Sequence, residues 1–342
     1  METYYACSMV NSFFLTINGH LDDEKCLTFC CEPIDGRPAI VWGNDASESL
    51  VNIINKRQEF LEECRRIEKN GFEITRELTA GCVNCAYFQK KMWNSDGRIH
   101  YVNLSMYPSP CQCKCFYCDV HRKDQRISAE MKKEYDKMFD MLEFAKKCNA
   151  IASDARWQVS CGEITIHPFK ERILDLVEGY ATTFYTNGFK FDERIAWNLK
   201  NNPYSAIDVS IDAGTPSTWY KVKGVNNFED VAMNLMRYSL SSKREGQIVL
   251  KYIVFPGIND SEEDYISLIE MMKLLKTSHL TISRDGRKKY KLGEEETSAL
   301  VKSAARLVAI CFKNGIANDM FTYTMEEQKM IVEATNHILE NA

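Results

Sequence analysis

One stretch constrains this chain more than any other: Cys111-Gln112-Cys113-Lys114-Cys115-Phe116-Tyr117-Cys118. Four cysteines crowded into eight residues are not a packing pattern. Cys111, Cys115 and Cys118 stand at the spacing C-x3-C-x2-C. A tight loop at that spacing turns three thiolates toward one point, which suits a cubane iron–sulfur cluster. Four irons on three thiolates leave one iron without a protein ligand, open to a substrate or cofactor. A structural zinc site is the alternative, since C-x-C and C-x2-C turns also hold zinc, but zinc takes a fourth ligand. Cys113 has no place in the three-ligand scheme and is expected to point away as a spectator thiol.

The rest of the composition narrows the class. At 342 residues the chain exceeds what one hydrophobic core serves, so a large domain with a smaller companion is expected. A net charge of −5 argues against a nucleic-acid partner. Fourteen cysteines would suit a disulfide framework in a small secreted chain. Met1-Glu2-Thr3-Tyr4-Tyr5 lacks the basic start and apolar core of a signal peptide. No apolar run is long enough to span a bilayer. The expectation is a cytoplasmic protein with free or metal-bound thiols and no membrane partner.

Residues 1–96 hold half of the cysteines and read as a separate cysteine-rich domain. Strands are expected at Phe13–Asn18 and Ala39–Trp42, and a helix at Ala46–Lys69. Cys26, Cys30 and Cys31 lie between the strands, and Cys82 and Cys85 form a C-x2-C turn after the helix. Cys26, Cys30, Cys82 and Cys85 are candidate ligands of a second site, with Cys31 as the alternative to Cys30. Zinc and iron–sulfur are both open there. Cys7, Cys64, Cys148 and Cys311 read as core thiols.

From residue 97 to 323 strands alternate with helices, and a last helix occupies 324–342. Strands are expected at His100–Met106, Trp157–Ser160, Thr182–Thr186, Ala206–Ile211, Ile248–Phe255 and Leu280–Ser283. Helices are expected at Ser128–Lys147, Pro168–Glu178, Asp192–Leu199, Phe228–Leu240, Ser261–Leu275, Glu294–Lys313 and Met325–Leu339. Six strand-then-helix units imply an α/β fold with a parallel sheet and right-handed crossovers. They are too few for a closed eight-stranded barrel.

Sites on such sheets gather at the carboxyl ends of the strands. Those ends read Cys161-Gly162-Glu163, Thr186-Asn187-Gly188, Ser210-Ile211-Asp212, Pro256-Gly257-Ile258-Asn259 and Ser283-Arg284-Asp285. Polar groups thus collect at one mouth, above strand bodies that read as apolar.

The cysteine loop, with aromatic Tyr117 before its last cysteine, resembles the cluster loop of the radical S-adenosylmethionine (SAM) enzymes. The resemblance implies a partial (β/α)6 TIM-like barrel, a [4Fe-4S] cluster on Cys111, Cys115 and Cys118, and SAM at the open iron. Cys161-Gly162-Glu163 resembles the family's Gly-Gly-Glu motif, with Cys161 in place of the first glycine. By that resemblance Glu163 accepts from the SAM amino group. Ser210 and Asp212 meet the ribose, Arg284 or Ser283 the methionine carboxylate, and Tyr117 the adenine, with Asn187 also at the cofactor. Cys161 has two readings, a hydrogen-atom donor and a small residue filling a glycine-like position. The N-terminal cysteines resemble auxiliary-cluster extensions of the SPASM and Twitch type. Here they precede the barrel and the family's C-terminal cysteine string is missing, which leaves one auxiliary iron–sulfur cluster as the expectation.

In this family a reduced cluster passes one electron to the sulfonium. The carbon–sulfur bond breaks to methionine and a 5′-deoxyadenosyl radical, which takes a hydrogen atom from the substrate. The expected substrate is a peptide or protein side chain, with flavodoxin or ferredoxin as electron donor. The rivals are a glycyl-radical-enzyme activase, a small-metabolite or sugar enzyme, and an iron–sulfur or zinc module without catalysis.

Overall fold

The computed structural model describes residues 2–19, 27–29, 42–70, 82, 85, 87–106, 109–118, 126–288 and 292–341. Two compact units divide the chain, and both are discontinuous in sequence. The first comprises Met1–Ser109, Asp124–Cys161 and Pro168–Thr182. The second comprises Pro110–Lys123, Gly162–His167 and Thr183–Ala342. These bounds differ from the divisions expected at 96/97 and 323/324.

The reason lies in strand pairing within the first unit. After β1 (Glu2–Ala6) and the single turn α1 (Ser8–Asn11), β2 (Phe14–Gly19) lies parallel to the later strand β5 (Ile99–Met106), Leu15 opposite Val102. Phe14 stacks on Tyr101 with ring centroids 4.3 Å apart. The N-terminal segment is thereby part of the same sheet as β5. β6 (Ile151–Val159) continues that sheet in parallel, and the short β3 (Leu27–Thr28) pairs antiparallel on β2. β4 (Gln89–Trp93) pairs with β1 apart from it. α2 (Ala46–Asn70) is fastened by Arg57, which donates to the Val10 and Asn11 carbonyls at 3.0 and 2.9 Å. α3 (Ala129–Lys147) starts where the Ser128 hydroxyl accepts from Met131 N, and buries Tyr135, Met138, Phe139 and Leu142 at helical spacing. α4 (Lys170–Val177) completes the unit. The strand expected at Ala39–Trp42 lies mostly outside the described residues.

The second unit is an open parallel sheet in sequence order. β7 (Ala181–Tyr185) enters it at Thr183, followed by β8 (Ala206–Ser210), β9 (Ile248–Val254), β10 (His279–Arg284) and β11 (Ala317–Phe321). The helices are α5 (Glu193–Asn201), α6 (Pro216–Lys223), α7 (Phe228–Ser241), α8 (Glu262–Leu274), α9 (Glu294–Lys313) and α10 (Met325–Glu340). Seven strands of the described residues from β5 onward are each followed by a helix, one unit more than expected. The extra strand is β11, whose Ala-Asn-Asp-Met-Phe has little strand propensity and lies at the sheet edge. α6 was also not expected, although Thr215 caps it and Pro216 opens its first turn.

The two faces of this sheet differ. Phe184, Ile207, Val209, Leu250, Tyr252, Leu280 and Ile282 alternate along their strands and are buried. The intervening positions form the other face. Register places Tyr185 beside Asp208, Ser210 beside Lys251, Lys251 beside Thr281, and Thr281 beside Asp319. Those six side chains are half-buried or exposed. The strand bodies are therefore apolar on one face only, which corrects the expectation of wholly apolar strands.

Candidate functional site

The cysteine loop belongs to the second unit and is stitched to it by backbone. Lys114 N donates to Lys223 O at 2.8 Å and Phe116 N to Val222 O at 3.2 Å. At its start, Pro110 O accepts from Glu163 N at 2.7 Å. Gly224 ends α6 with φ +67, and a Cβ there would stand 2.8 Å from Lys114 O. The close approach of loop and helix end thus requires glycine twice over, for conformation and for space. Phe116 and Tyr117 pack on Val222, Ile253 and Phe255, with Tyr117 stacked on Phe255 at 5.2 Å.

Beneath the loop lies a buried ionic group. Lys223 Nζ donates to Asp212 Oδ2 at 2.5 Å, to Tyr117 OH at 2.8 Å and to Ser210 O at 2.6 Å. Tyr117 OH donates to Asp212 Oδ2 at 2.6 Å, and Asp212 Oδ1 accepts from Ile253 N at 2.7 Å. Asp212 is completely buried and Lys223 is 3% exposed. Burial pulls the Lys223 ammonium down, but Asp212 and the Cys115 thiol beside it more than offset that and raise it. The tyrosine before the last cysteine is thereby bolted to the end of β8.

Glu163 is the second anchor. Its carboxylate is fully buried and accepts from Thr165 N, Thr165 Oγ1, Thr186 Oγ1 and Asn187 N at 2.6 to 3.0 Å. Burial holds this carboxyl above its usual range, against those donors. It ties the turn at 163–165 to the end of β7. From there Asn187 Nδ2 reaches Cys111 Sγ at 3.4 Å and Gln112 Oε1 at 3.2 Å.

The thiols themselves are graded. Cys111, Cys115 and Cys118 are half-buried, while Cys113 is 3% exposed. Cys113 does not turn away as expected. It hydrogen-bonds to both Cys111 and Cys115, lowering them to about 7 and about 6, and its own thiol is pushed up. Among the described residues no three ligating side chains are drawn to one point. The site still fits the implied group. Three soft, partly exposed sulfurs lie on one turn, and two of them have thiolate character near neutral pH. Two buried donors of the same unit, Gln112 Nε2 in the loop and Ser283 Oγ on β10, have no hydrogen-bond partner. A bound polar ligand is one of the partners that completes a buried donor of this kind, as an ordered water is. A cavity of about 390 Å³ adjoins Phe116 and is walled by Val254, Phe255, Pro256, Arg287 and Leu300.

Residues 110–269 match the model of the Radical SAM superfamily. This segment is a Radical SAM superfamily domain. A relative in Helicobacter pylori strain J99, described as a UPF0026 protein, is 22% identical over 229 residues, 63% of this chain and 71% of that protein. Among solved structures, SuiB of Streptococcus suis bound to S-adenosylmethionine is 13% identical, covers 82% of this chain and 58% of SuiB, and superposes with a TM-score of 0.50. A radical SAM methyltransferase from Sphaerobacter thermophilus is 15% identical, covers 61% of this chain and 62% of its own, with a TM-score of 0.40. The chain thus spans about 60% of the length of these two structures. The likeness to SuiB is one of α/β fold.

Within the Radical SAM domain and beyond it, several side chains lie elsewhere than expected. Asp212 has no exposure, and both of its oxygens accept from donors of the chain. Glu163 is likewise committed to chain donors rather than held out toward an amine. Arg284 follows Leu280 and Ile282 onto the buried face, where Glu327 of α10 accepts from it at 2.6 Å and Thr322 O at 3.0 Å. An arginine so paired is a tie between β10 and α10, whereas its neighbour Ser283 faces the other side. Ser210 remains on the half-open face. Cys161 is fully buried at the end of β6 in the first unit.

Cys26, Cys30 and Cys31 lie outside the described residues. Cys82 and Cys85 are half-buried, and Cys85 N donates to Cys82 O at 2.9 Å. Cys64 is pushed up by burial first and then by the Cys82 and Cys7 thiols nearby. No helix of the described residues is long and apolar enough to cross a membrane. Lys223 was missed because α6 was missed; the Lys-Gly pair closing an eight-residue helix was its one available signal.

Proposed function

We propose that this chain is a radical SAM enzyme that reductively cleaves S-adenosylmethionine and abstracts a hydrogen atom from a polar substrate. The observation that carries the reading is the cysteine loop itself. It presents Cys111, Cys115 and Cys118 half-buried and is held by backbone bonds at Pro110, Lys114 and Phe116, in a segment matching the Radical SAM superfamily. A [4Fe-4S] cluster on those three thiolates, with SAM at its open iron, supplies one-electron cleavage of the sulfonium. Lys223, Asp212 and Tyr117 hold the loop in place, and Glu163 holds Asn187 against Cys111. Gln112 and Ser283 offer unpaired donors to the polar end of the cofactor, and the cavity beside Phe116 and Phe255 has the size an adenine ring needs, with a mostly apolar wall that Arg284, Asp285, Arg287 and Glu296 also line. The electron donor is a flavodoxin or ferredoxin, and the substrate a peptide or protein side chain or a small molecule of similar polarity.

The test is direct. The chain is reconstituted anaerobically with iron and sulfide and given SAM and dithionite. 5′-Deoxyadenosine is expected, together with loss of about four irons per chain in a Cys111→Ala, Cys115→Ala, Cys118→Ala variant. Absence of 5′-deoxyadenosine from the wild type, with iron content unchanged in the variant, refutes the reading. The same triple variant reports on the second site: residual iron supports an auxiliary cluster at the N-terminal cysteines, and residual zinc a structural site.

A further inference from the structure

The half-open face of the second unit's sheet carries an acid and a base that form no ion pair. Asp208 and Lys251 stand on the adjacent strands β8 and β9, and register puts them on the same face. Parallel strands this rich in Ile, Val and Leu are ordinarily apolar on both faces. Among the described residues no side chain donates to the Asp208 carboxylate, and neither residue forms an ion pair. Lys251 instead lies over the Phe321 ring, its Nζ 5.0 Å from the centroid. Tyr185 flanks Asp208 on β7, and Thr281 flanks Lys251 on β10. Asp319 is already engaged, accepting from Thr281 Oγ1 at 2.9 Å and facing His279 at 2.7 Å. Burial raises Asp208 to about 6, with Lys251 opposing and Asp319 adding.

Position ties the pair to the site. Asp208 is two residues before Ser210, whose carbonyl accepts from Lys223, and Lys251 is two residues before Ile253, which packs on Phe116 and Tyr117. Two residues of strand are about 7 Å. The acid and the base thus lie about 7 Å along their strands from the residues that support the cysteine loop, on the same face as those residues.

We infer that this face is the substrate-binding surface and that Asp208 and Lys251 together select a zwitterionic ligand of the amino-acid or peptide-terminus type, ammonium toward Asp208 and carboxylate toward Lys251. This rests on the mouth being the radical site, and it adds the substrate class. Two opposite charges that face one surface without pairing are complementary to a ligand whose own charges are similarly separated. A hydrocarbon or a uniformly anionic ligand would leave one of them desolvated and unpaired.

The probe is alanyl-alanine with its N-acetyl and C-amide derivatives, titrated calorimetrically into the full reconstituted chain without SAM or reductant. The free dipeptide is expected to bind about tenfold more tightly than either blocked form, the loss of one charge-assisted contact. Asp208→Asn is expected to bind free and N-acetylated dipeptide alike, and Lys251→Met free and amidated dipeptide alike. Near-UV circular dichroism verifies folding of each variant, and either variant alone decides its half. The inference is overturned if the wild type does not distinguish the three ligands or binds none, or if a folded variant keeps the full preference. Since no SAM is present, this failure is separate from a missing 5′-deoxyadenosine product, which would count against the proposed cleavage instead.

Discussion

Replacing Asp208 with asparagine should make the protein more stable at neutral pH. The carboxylate is half-buried, lacks a hydrogen-bond donor among the described residues, and is raised to about 6 from an ordinary value of 3.8. Burial is the main cause; Lys251 works against it and Asp319 with it. A raised folded value means that the native chain binds more protons than the unfolded chain between about pH 4 and 6. Stability therefore falls as pH rises through that window and stays lower above it. A shift of about two units corresponds to about 3 kcal/mol. Solvent reaching the half-open face screens this to about 1–2 kcal/mol. Asparagine keeps the shape and removes the charge. Urea unfolding followed by tryptophan fluorescence, on wild type and variant at matched iron content, should show a gain of about 1–2 kcal/mol at pH 7.5 and roughly half that at pH 5. Tyr185, Lys251, His279 and Asp319 face the same surface but are common to both proteins, so the difference isolates Asp208. A variant that is less stable than wild type at pH 7.5, or whose gain is equal at both pH values, refutes the reasoning.

Three further outcomes follow from the anchors. Lys223→Met leaves Asp212 charged, buried and without its cation, and should cost about 3–5 kcal/mol in urea unfolding while lowering iron loading on reconstitution. An unchanged midpoint would remove Lys223 from its place as the loop's anchor. Gly224→Ala brings a Cβ within 2.8 Å of Lys114 O at φ +67, so a loss of about 1–3 kcal/mol with weakened cluster absorbance is expected, whereas a neutral result would mean that the loop can withdraw from α6. Arg284→Met should destabilise by about 3–5 kcal/mol through the orphaned Glu327, and the double variant with Glu327→Leu should recover most of it. Recovery is what a purely structural pair gives; no recovery would return Arg284 to consideration as a ligand contact.

Much of this was legible in the sequence, and the misses have physical causes. The cysteine loop and the strand-helix alternation are local patterns, set by spacing and periodicity. The parallel pairing of β2 with β5 joins segments some eighty residues apart and leaves no local trace. Arg284 could have been placed correctly: counting by twos from Leu280 and Ile282 puts it among the helices. Asp208 and Lys251 were visible too, but only if the strands are aligned side by side, since each alone is one charge in an apolar run. Lys223 depends on a short helix folding its end back under the loop, which spacing does not reveal.

The polar residues of the second unit sort by whether their bonding is complete. Lys223, Asp212 and Glu163 are buried and satisfied, Tyr117 is half-buried and bonded to the first two, and each bridges the cysteine loop or its neighbours to a strand end. Their bonds hold the loop, so a ligand that reaches them shares those bonds or displaces them. Gln112, Ser283, Asp208 and Lys251 are the converse: two buried donors without partners, and two opposite charges that act on each other without forming an ion pair. Each lowers stability where it stands, and a chain retains such groups where something else completes them. The incomplete set runs from the loop to one face of the sheet, the face on which Asp208 and Lys251 supply the charges of the proposed substrate surface.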